Sequence, residues 1–123
     1  MRPMPDRRIA LGSWGERLAA EHLRRRGYDV LETNYRCPRG EIDIVARDGQ
    51  SLVFVEVRTR RSSSHGTPQE SITTAKQRKL VEVAQTYLQE REVGEVSWRI
   101  DVVAVGFEHG QPTIYLIRNA VSA

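Results

Sequence analysis

Residues 40–46, Gly-Glu-Ile-Asp-Ile-Val-Ala, and residues 53–60, Val-Phe-Val-Glu-Val-Arg-Thr-Arg, are rich in β-branched side chains and predict two neighbouring strands. The Asp-Gly dipeptide at positions 48–49 predicts a two-residue hairpin loop between them. In that register Asp43 lies opposite Phe54 in the antiparallel partner. The sequence therefore predicts a β-hairpin as the centre of the fold.

Three charged side chains occupy one face of this hairpin. Side chains alternate between the two faces of a strand, so Asp43, Glu56 and Arg58 share a face that is otherwise apolar. Charges on such a surface are costly unless they are paired or bind a cation. Carboxylates on adjacent strands suit Mg²⁺ or Mn²⁺, and a nearby cationic side chain suits a phosphate. A structural ion pair between Asp43 and Arg58 is the alternative.

The composition is that of an ordinary globular domain. The chain has 123 residues, one cysteine, a net charge of +3, and no apolar stretch near the roughly 20 residues that cross a bilayer. We expect a reduced, cytoplasmic protein without a membrane segment. The basic residues form three clusters, which favour a polyanion such as nucleic acid, although solvated helix ends would explain them equally. These clusters are Arg24–Arg26, Arg58 with Arg60 and Arg61, and Lys76 with Arg78 and Lys79.

The order of elements predicts an α/β fold. We expect a flexible arm over residues 1–12 and one domain over 13–123. A Ser13–Glu16 capping box predicts the start of the first helix, and the Ser-, Gly- and Pro-rich stretch 61–69 predicts an exposed loop. The core order is α-β-β-β-α-β, with one further strand. The helix between the third and fourth strands implies a right-handed crossover, so the domain is a mixed sheet flanked by helices.

The chain resembles a known family of sequences. An acidic residue in the first helix, an Asp after a turn and Glu-x-Lys on the next strand form the PD-(D/E)XK nuclease signature. Four segments together look more closely like the YraN family, which is bacterial and similar to archaeal Holliday junction resolvases. These are Gly40-Glu41-Ile42-Asp43, Phe54-Val55-Glu56-Val57-Arg58-Thr59-Arg60, Lys76-Gln77-Arg78-Lys79-Leu80 and Arg99-Ile100-Asp101-Val102-Val103. The match covers nearly all of residues 13–121.

The resemblance implies a restriction-endonuclease-like fold and Mg²⁺- or Mn²⁺-dependent hydrolysis of phosphodiesters in DNA, including branched or structured DNA. Resolvases also work as dimers, which implies a homodimer. Glu16, Asp43 and Glu56 match the metal-binding acids, although the capping box explains Glu16 without a metal. The catalytic residues would be Asp43, Glu56, Arg58 and Gln77, and the nucleic-acid contacts Arg58, Arg60, Lys76 and Lys79.

Arg58 departs from the family pattern because it stands where the signature has lysine. An arginine stays protonated and cannot act as a base, but it binds phosphate with two parallel hydrogen bonds. A non-catalytic nucleic-acid-binding module that retains the nuclease fold is therefore the alternative function. A protein-interaction adaptor that uses the arm and the 61–69 loop is a third. Asp101 either supports the site or forms a salt bridge.

Overall fold

The computed structural model describes residues 7–60 and 72–121, with the side chains of 12–60 and 72–121. The predicted 61–69 loop lies outside these ranges. The elements are α1 (Arg7–Arg25), β1 (Asp29–Cys37), β2 (Gly40–Asp48), β3 (Ser51–Thr59), α2 (Thr74–Glu90), β4 (Trp98–Glu108) and β5 (Gln111–Val121). The predicted α/β order is confirmed, and neither of these helices is long and apolar enough to span a membrane.

The five strands form one mixed sheet in the order β1-β2-β3-β4-β5. β3 and β4 run parallel, as the α2 crossover predicted, and the other neighbouring pairs are antiparallel. Each helix covers one face. The α2 face packs Val45, Phe54 and Val102 under the helix, and the α1 face packs Val53, Val55 and Val103. This single α/β domain is consistent with a restriction-endonuclease-like fold.

The first helix starts earlier than the sequence predicted. It begins at Arg7, so Ser13 and Glu16 lie inside it and the capping-box interpretation is wrong. Residues 7–12 of the expected arm are helical, while residues 1–6 lie outside the described part of the chain. The misleading signal was the Ser13–Glu16 spacing, which here lies within the helix. Gly15, between these two residues, is a point of close contact with β3. A Cβ atom at Gly15 would lie 2.1 Å from the Thr59 hydroxyl oxygen.

This close contact gives a stability prediction. We expect Gly15→Ala to lower the free energy of unfolding by about 1–3 kcal/mol, because the new methyl group forces α1 away from β3. Gly12→Ala is the matched control. No atom lies within 4 Å of a Cβ at Gly12, so alanine there should stabilise the helix by up to about 1 kcal/mol. Urea denaturation measures both, and equal effects of the two variants would contradict the packing argument.

The hairpin register differs by two residues from the predicted one. Asp48 pairs with Ser51, so Gly49 and Gln50 form the loop rather than Asp48 and Gly49. Gly49 has a φ of 61°, which suits a type II′ turn with glycine at the first loop position. A shift of two residues leaves the side chains of β3 on their predicted faces, whereas alternation in β2 breaks at Asp43, because Ile42 and Ile44 pack on opposite sides of the sheet. The shift moves Asp43 from the level of Phe54 toward that of Glu56.

Candidate metal and phosphate site

Asp43 lies where β2 separates from β3. Regular pairing between these strands extends only to Ile44 opposite Val55. One residue beyond it, the Asp43 carboxylate accepts a hydrogen bond of 2.8 Å from the backbone amide of Val57. The Asp43 side chain thus provides the hydrogen-bond acceptor that a paired strand would otherwise provide for the Val57 amide. This bond to the backbone fixes the position of the carboxylate.

Glu56 is the second carboxylate of the site and is buried, with 6% of its surface exposed. It follows Phe54 on the α2 face, as the alternation predicted. Burial and then the negative charge of Asp43 raise the pKa of Glu56 to about 7. Burial also raises the pKa of Asp43, while the Val57 amide and a hydrogen bond from Glu56 lower it. The two carboxyl groups are therefore one interacting pair, and both hold a proton more tightly than an exposed carboxyl group does.

Two cationic side chains flank Glu56. The Lys76 ammonium lies 3.6 Å from Glu56 Oε1, and an Arg58 guanidinium nitrogen lies 4.0 Å from the same oxygen. Thr73 caps the start of α2 by accepting a hydrogen bond of 3.1 Å from the Lys76 amide, which fixes Lys76 in the first turn. The sequence predicted Lys76 only as a nucleic-acid contact. No spacing signal in the sequence relates it to Glu56.

The Gln77 side chain points toward the start of α2 rather than toward the carboxylates of Asp43 and Glu56. Its Nε2 donates a hydrogen bond of 3.1 Å to the carbonyl oxygen of Ile72. Within 12–60 and 72–121, no hydrogen bond joins Gln77 to Asp43 or Glu56. A structural role in holding the entry to α2 accounts for these contacts, and the catalytic role implied by the resemblance stays a prediction.

Glu16 approaches the site from α1. Burial and then the charge of Asp43 raise the pKa of Glu16, and a hydrogen bond from Asn34 lowers it. Glu16 also lines a cavity of about 490 Å³ between α1 and β1. Over the described ranges, no three His, Cys, Asp or Glu side chains are grouped closely enough to hold a metal ion. The predicted three-acid shell of Glu16, Asp43 and Glu56 therefore stays a prediction, and Asp43 with Glu56 is its closest part.

The remaining predicted nucleic-acid contacts lie at the margins of this site. Lys79 stands one helical turn after Lys76 and lines a cavity of about 490 Å³ with Arg36 and Arg39 at the β1–β2 turn. The Arg60 amide donates a hydrogen bond of 2.8 Å to the carbonyl oxygen of Val105, which extends the β3–β4 pairing. Their role in binding nucleic acid stays a prediction.

Asp101 belongs to a separate buried network. Its carboxylate accepts hydrogen bonds from Arg99 Nε at 2.9 Å, the Tyr28 hydroxyl at 3.1 Å and the Asn119 amide at 2.8 Å. The Arg99 guanidinium also contacts Asp48 at 2.8 Å. Of the two roles left open for Asp101, the structure gives it the salt bridge. The network lies on the α1 side of the sheet, near the β2–β3 turn.

The buried Glu56 predicts a pH-dependent cost in stability. Its folded-state pKa of about 7 lies above the ordinary 4.5, so the folded protein binds a proton more tightly between these values. The free energy of unfolding should therefore fall as pH rises from 5 to 8. Glu56→Gln removes this titration, and we expect it to be more stabilising at pH 8 than at pH 5, by on the order of 1 kcal/mol. Urea denaturation in EDTA measures this difference, and an equal effect at both pH values would contradict the burial argument.

A comparison with protein-family models matches residues 15–105 to "Uncharacterised protein family UPF0102". The chain belongs to UPF0102. The match spans Glu16, Asp43, Glu56 and Gln77, and it confirms the YraN resemblance, because YraN is a name for the same family.

Individual relatives agree with this assignment. A UPF0102 protein of Syntrophotalea carbinolica is 52% identical over 102 residues, which are 83% of this chain and 83% of the relative. A UPF0102 protein of Dehalococcoides mccartyi is 44% identical over 118 residues, which are 96% of this chain and 98% of the relative. Among solved structures, Pyrococcus furiosus SfsA in complex with Ca²⁺ aligns with a TM-score of 0.35 and 12% identity, over 96% of this chain and 66% of SfsA. A TM-score of 0.35 is too low to establish a fold or a function that this chain shares with SfsA.

Proposed function

We propose that this protein is a divalent-metal-dependent nuclease that hydrolyses phosphodiesters in DNA. One observation carries the proposal: the half-buried Asp43 and the buried Glu56 interact at the point where β2 and β3 separate, with Lys76 and Arg58 beside Glu56. Two acids withdrawn from water beside each other are costly as a purely structural feature, even with cations near them. The same arrangement suits a metal ion on the acids and a phosphate on the cations.

The donor set fits Mg²⁺ or Mn²⁺. These ions take oxygen ligands, and Mg²⁺ is commonly held by only one or two protein carboxylates, with waters and substrate phosphates at the other positions. Asp43 and Glu56 would hold the ion, and Glu16 would act at its margin. A bound divalent ion would supply an activated water and neutralise charge on the phosphate. Binding to the raised-pKa pair would also release a proton, so affinity should increase with pH.

The two cations would have different tasks. Arg58 remains charged at every relevant pH and presents a planar fork to phosphate oxygens, so it would orient the scissile phosphate. Lys76 is a compact charge on the first turn of α2, 3.6 Å from Glu56 Oε1. It would hold the Glu56 carboxylate in place and lie close to the same phosphate. Proton transfer by Arg58 is not part of this proposal.

Cleavage assays test the proposed function. Purified protein with Mn²⁺ or Mg²⁺ is incubated with labelled junction, flap, duplex and single-stranded DNA, and the same reactions are run in EDTA. We expect metal-dependent cleavage of at least one substrate, and Lys76→Ala to reduce it while Arg78→Ala, a neighbouring exposed cation, does not. Cleavage that persists in EDTA, or none with any substrate, would contradict the proposal.

A second function is favoured by the ion pairs of Glu56. Because Lys76 and Arg58 already lie within 4.0 Å of this carboxylate, the site can be electrically balanced without a metal. The protein would then be a nucleic-acid-binding module that retains the nuclease fold. This function predicts DNA binding without cleavage, with affinity that falls with salt at a log–log slope of about −0.9 for each phosphate neutralised.

A further inference from the structure

One aromatic side chain is exposed without an evident structural role. Tyr115 on β5 is 57% exposed, and the other large hydrophobic side chain on the described surface is Leu31, 44% exposed on β1. Within 12–60 and 72–121, Tyr115 forms no hydrogen bond, ion pair or ring contact. It also lies outside the residues 15–105 that match the family model. The ring of Tyr115 is thus available to a ligand.

The sheet register places Tyr115 in one row with Arg58. Arg58 pairs with Ala104 of β4, and Ala104 pairs with Tyr115 of β5. Paired residues of neighbouring strands point to the same face, so all three share the α2 face with Glu56. Neighbouring strands lie about 4.8 Å apart, which puts Tyr115 about 10 Å from Arg58 across the sheet.

Only small residues of β4 lie between these two side chains. The hydrophobic cluster of the α2 face reaches Val102 on β4 and Ile117 on β5, which form the adjoining row with Glu56. Ala104, one row further, is buried, with 7% of its surface exposed, but it belongs to neither hydrophobic cluster of the described residues. Gly106 follows it on the same face, so the surface has a cation on one side, an aromatic ring on the other and no bulky β4 side chain between them.

We propose that Tyr115 stacks on an unpaired base of a nucleic-acid strand whose backbone contacts Arg58. This inference rests on the proposed function only in taking DNA as the ligand. The positive charges of Arg58 and Arg60 complement the phosphates, while stacking on tyrosine tolerates any base. A base inside a duplex is already stacked on its neighbours and cannot reach the ring. The substrate class of this face is therefore single-stranded or locally unpaired DNA.

Binding measurements in EDTA test this proposal without any cleavage. Fluorescence anisotropy is recorded with a labelled single strand and with the matching blunt duplex. We expect Tyr115→Ser to weaken single-strand binding by about 5- to 100-fold and duplex binding far less, and Tyr115→Phe to bind like the wild type. Leu31→Ser is the matched control and should change neither affinity. A 2-aminopurine base in the single strand should be quenched by the wild type and by Tyr115→Phe, but not by Tyr115→Ser.

Three results of the binding measurements would overturn the proposal. These are unchanged single-strand affinity in Tyr115→Ser, an equal loss for strand and duplex, and no single-strand binding by the wild type. The alternative to DNA on this face is a second copy of the chain. Light scattering on the same samples measures the molar mass and so detects such a dimer. A dimer that becomes a monomer on Tyr115→Ser would also overturn it. The nuclease proposal fails separately: in that case metal-dependent cleavage would be absent while single-strand binding remained intact.

Discussion

The Asp43→Asn variant is expected to lose metal-dependent DNA cleavage by about 100-fold or more while it folds as stably as the wild type. The loss follows from the proposed metal site, because the amide would remove one of its two anionic oxygen ligands and metal catalysis depends on that charge. Stability is retained because the asparagine oxygen still accepts the hydrogen bond from the Val57 amide. Asp43→Asn also removes a negative charge from a phosphate-facing site, so DNA affinity in EDTA should not fall.

Asp43→Ala separates the two roles of this side chain. It should lose cleavage as completely as Asp43→Asn and should also lower the free energy of unfolding by about 1–3 kcal/mol, since the Val57 amide loses its partner. Initial rates of cleavage with Mn²⁺ and urea denaturation of both variants give the comparison. Substantial cleavage by either variant would contradict the role in metal binding. Equal stability of the two would contradict the role at the strand separation.

The Asp101→Ala variant is expected to be strongly destabilised, by about 3 kcal/mol or more, with no direct effect on the site. Asp101 is fully buried, and its removal leaves the Arg99 charge, the Tyr28 hydroxyl and the Asn119 amide without this acceptor. Asp48 still contacts Arg99, which moderates the loss. The free energy of unfolding from urea denaturation measures the effect.

Tyr28→Phe is the control for this network. It removes the hydrogen bond that the Tyr28 hydroxyl donates to Asp101 and the one that it accepts from Arg99, but it leaves the ion pair between Asp101 and Arg99, so the expected loss is about 1–2 kcal/mol. A loss in Asp101→Ala no larger than in Tyr28→Phe would contradict the claim that the buried ion pair dominates. DNA binding per folded molecule should be unchanged in both variants, because the network lies away from Glu56.

The sequence predicted the sheet well because its signals are local. β-branched strands, a two-residue loop and a helix between two strands are enough to order the elements and to make β3 and β4 parallel. The hairpin register was wrong by two residues, since either Asp48-Gly49 or Gly49-Gln50 can form a two-residue loop. Because the shift is an even number of residues, Glu56 and Arg58 lie on the face of the sheet that the sequence predicted for them.

Features that depend on distant contacts were beyond sequence reasoning. The close packing of Gly15 in α1 against Thr59 in β3 is one such contact. Lys76 reaches Glu56 only because α2 crosses the sheet, and the partners of Asp101 include Tyr28, 73 residues away in the chain. Contacts of this kind depend on how the elements pack against one another. The periodicity of residues within a single helix or strand gives no information about them.

Calorimetric titration with Mn²⁺ at pH 8 is the most direct test of the central claim that Asp43 and Glu56 form a metal site. The wild type should bind Mn²⁺ at one site, with weaker affinity at pH 6 because protons compete for the raised-pKa pair. Asp43→Asn should bind at least about tenfold more weakly at both pH values. Equal Mn²⁺ affinity of the wild type and Asp43→Asn would contradict the account.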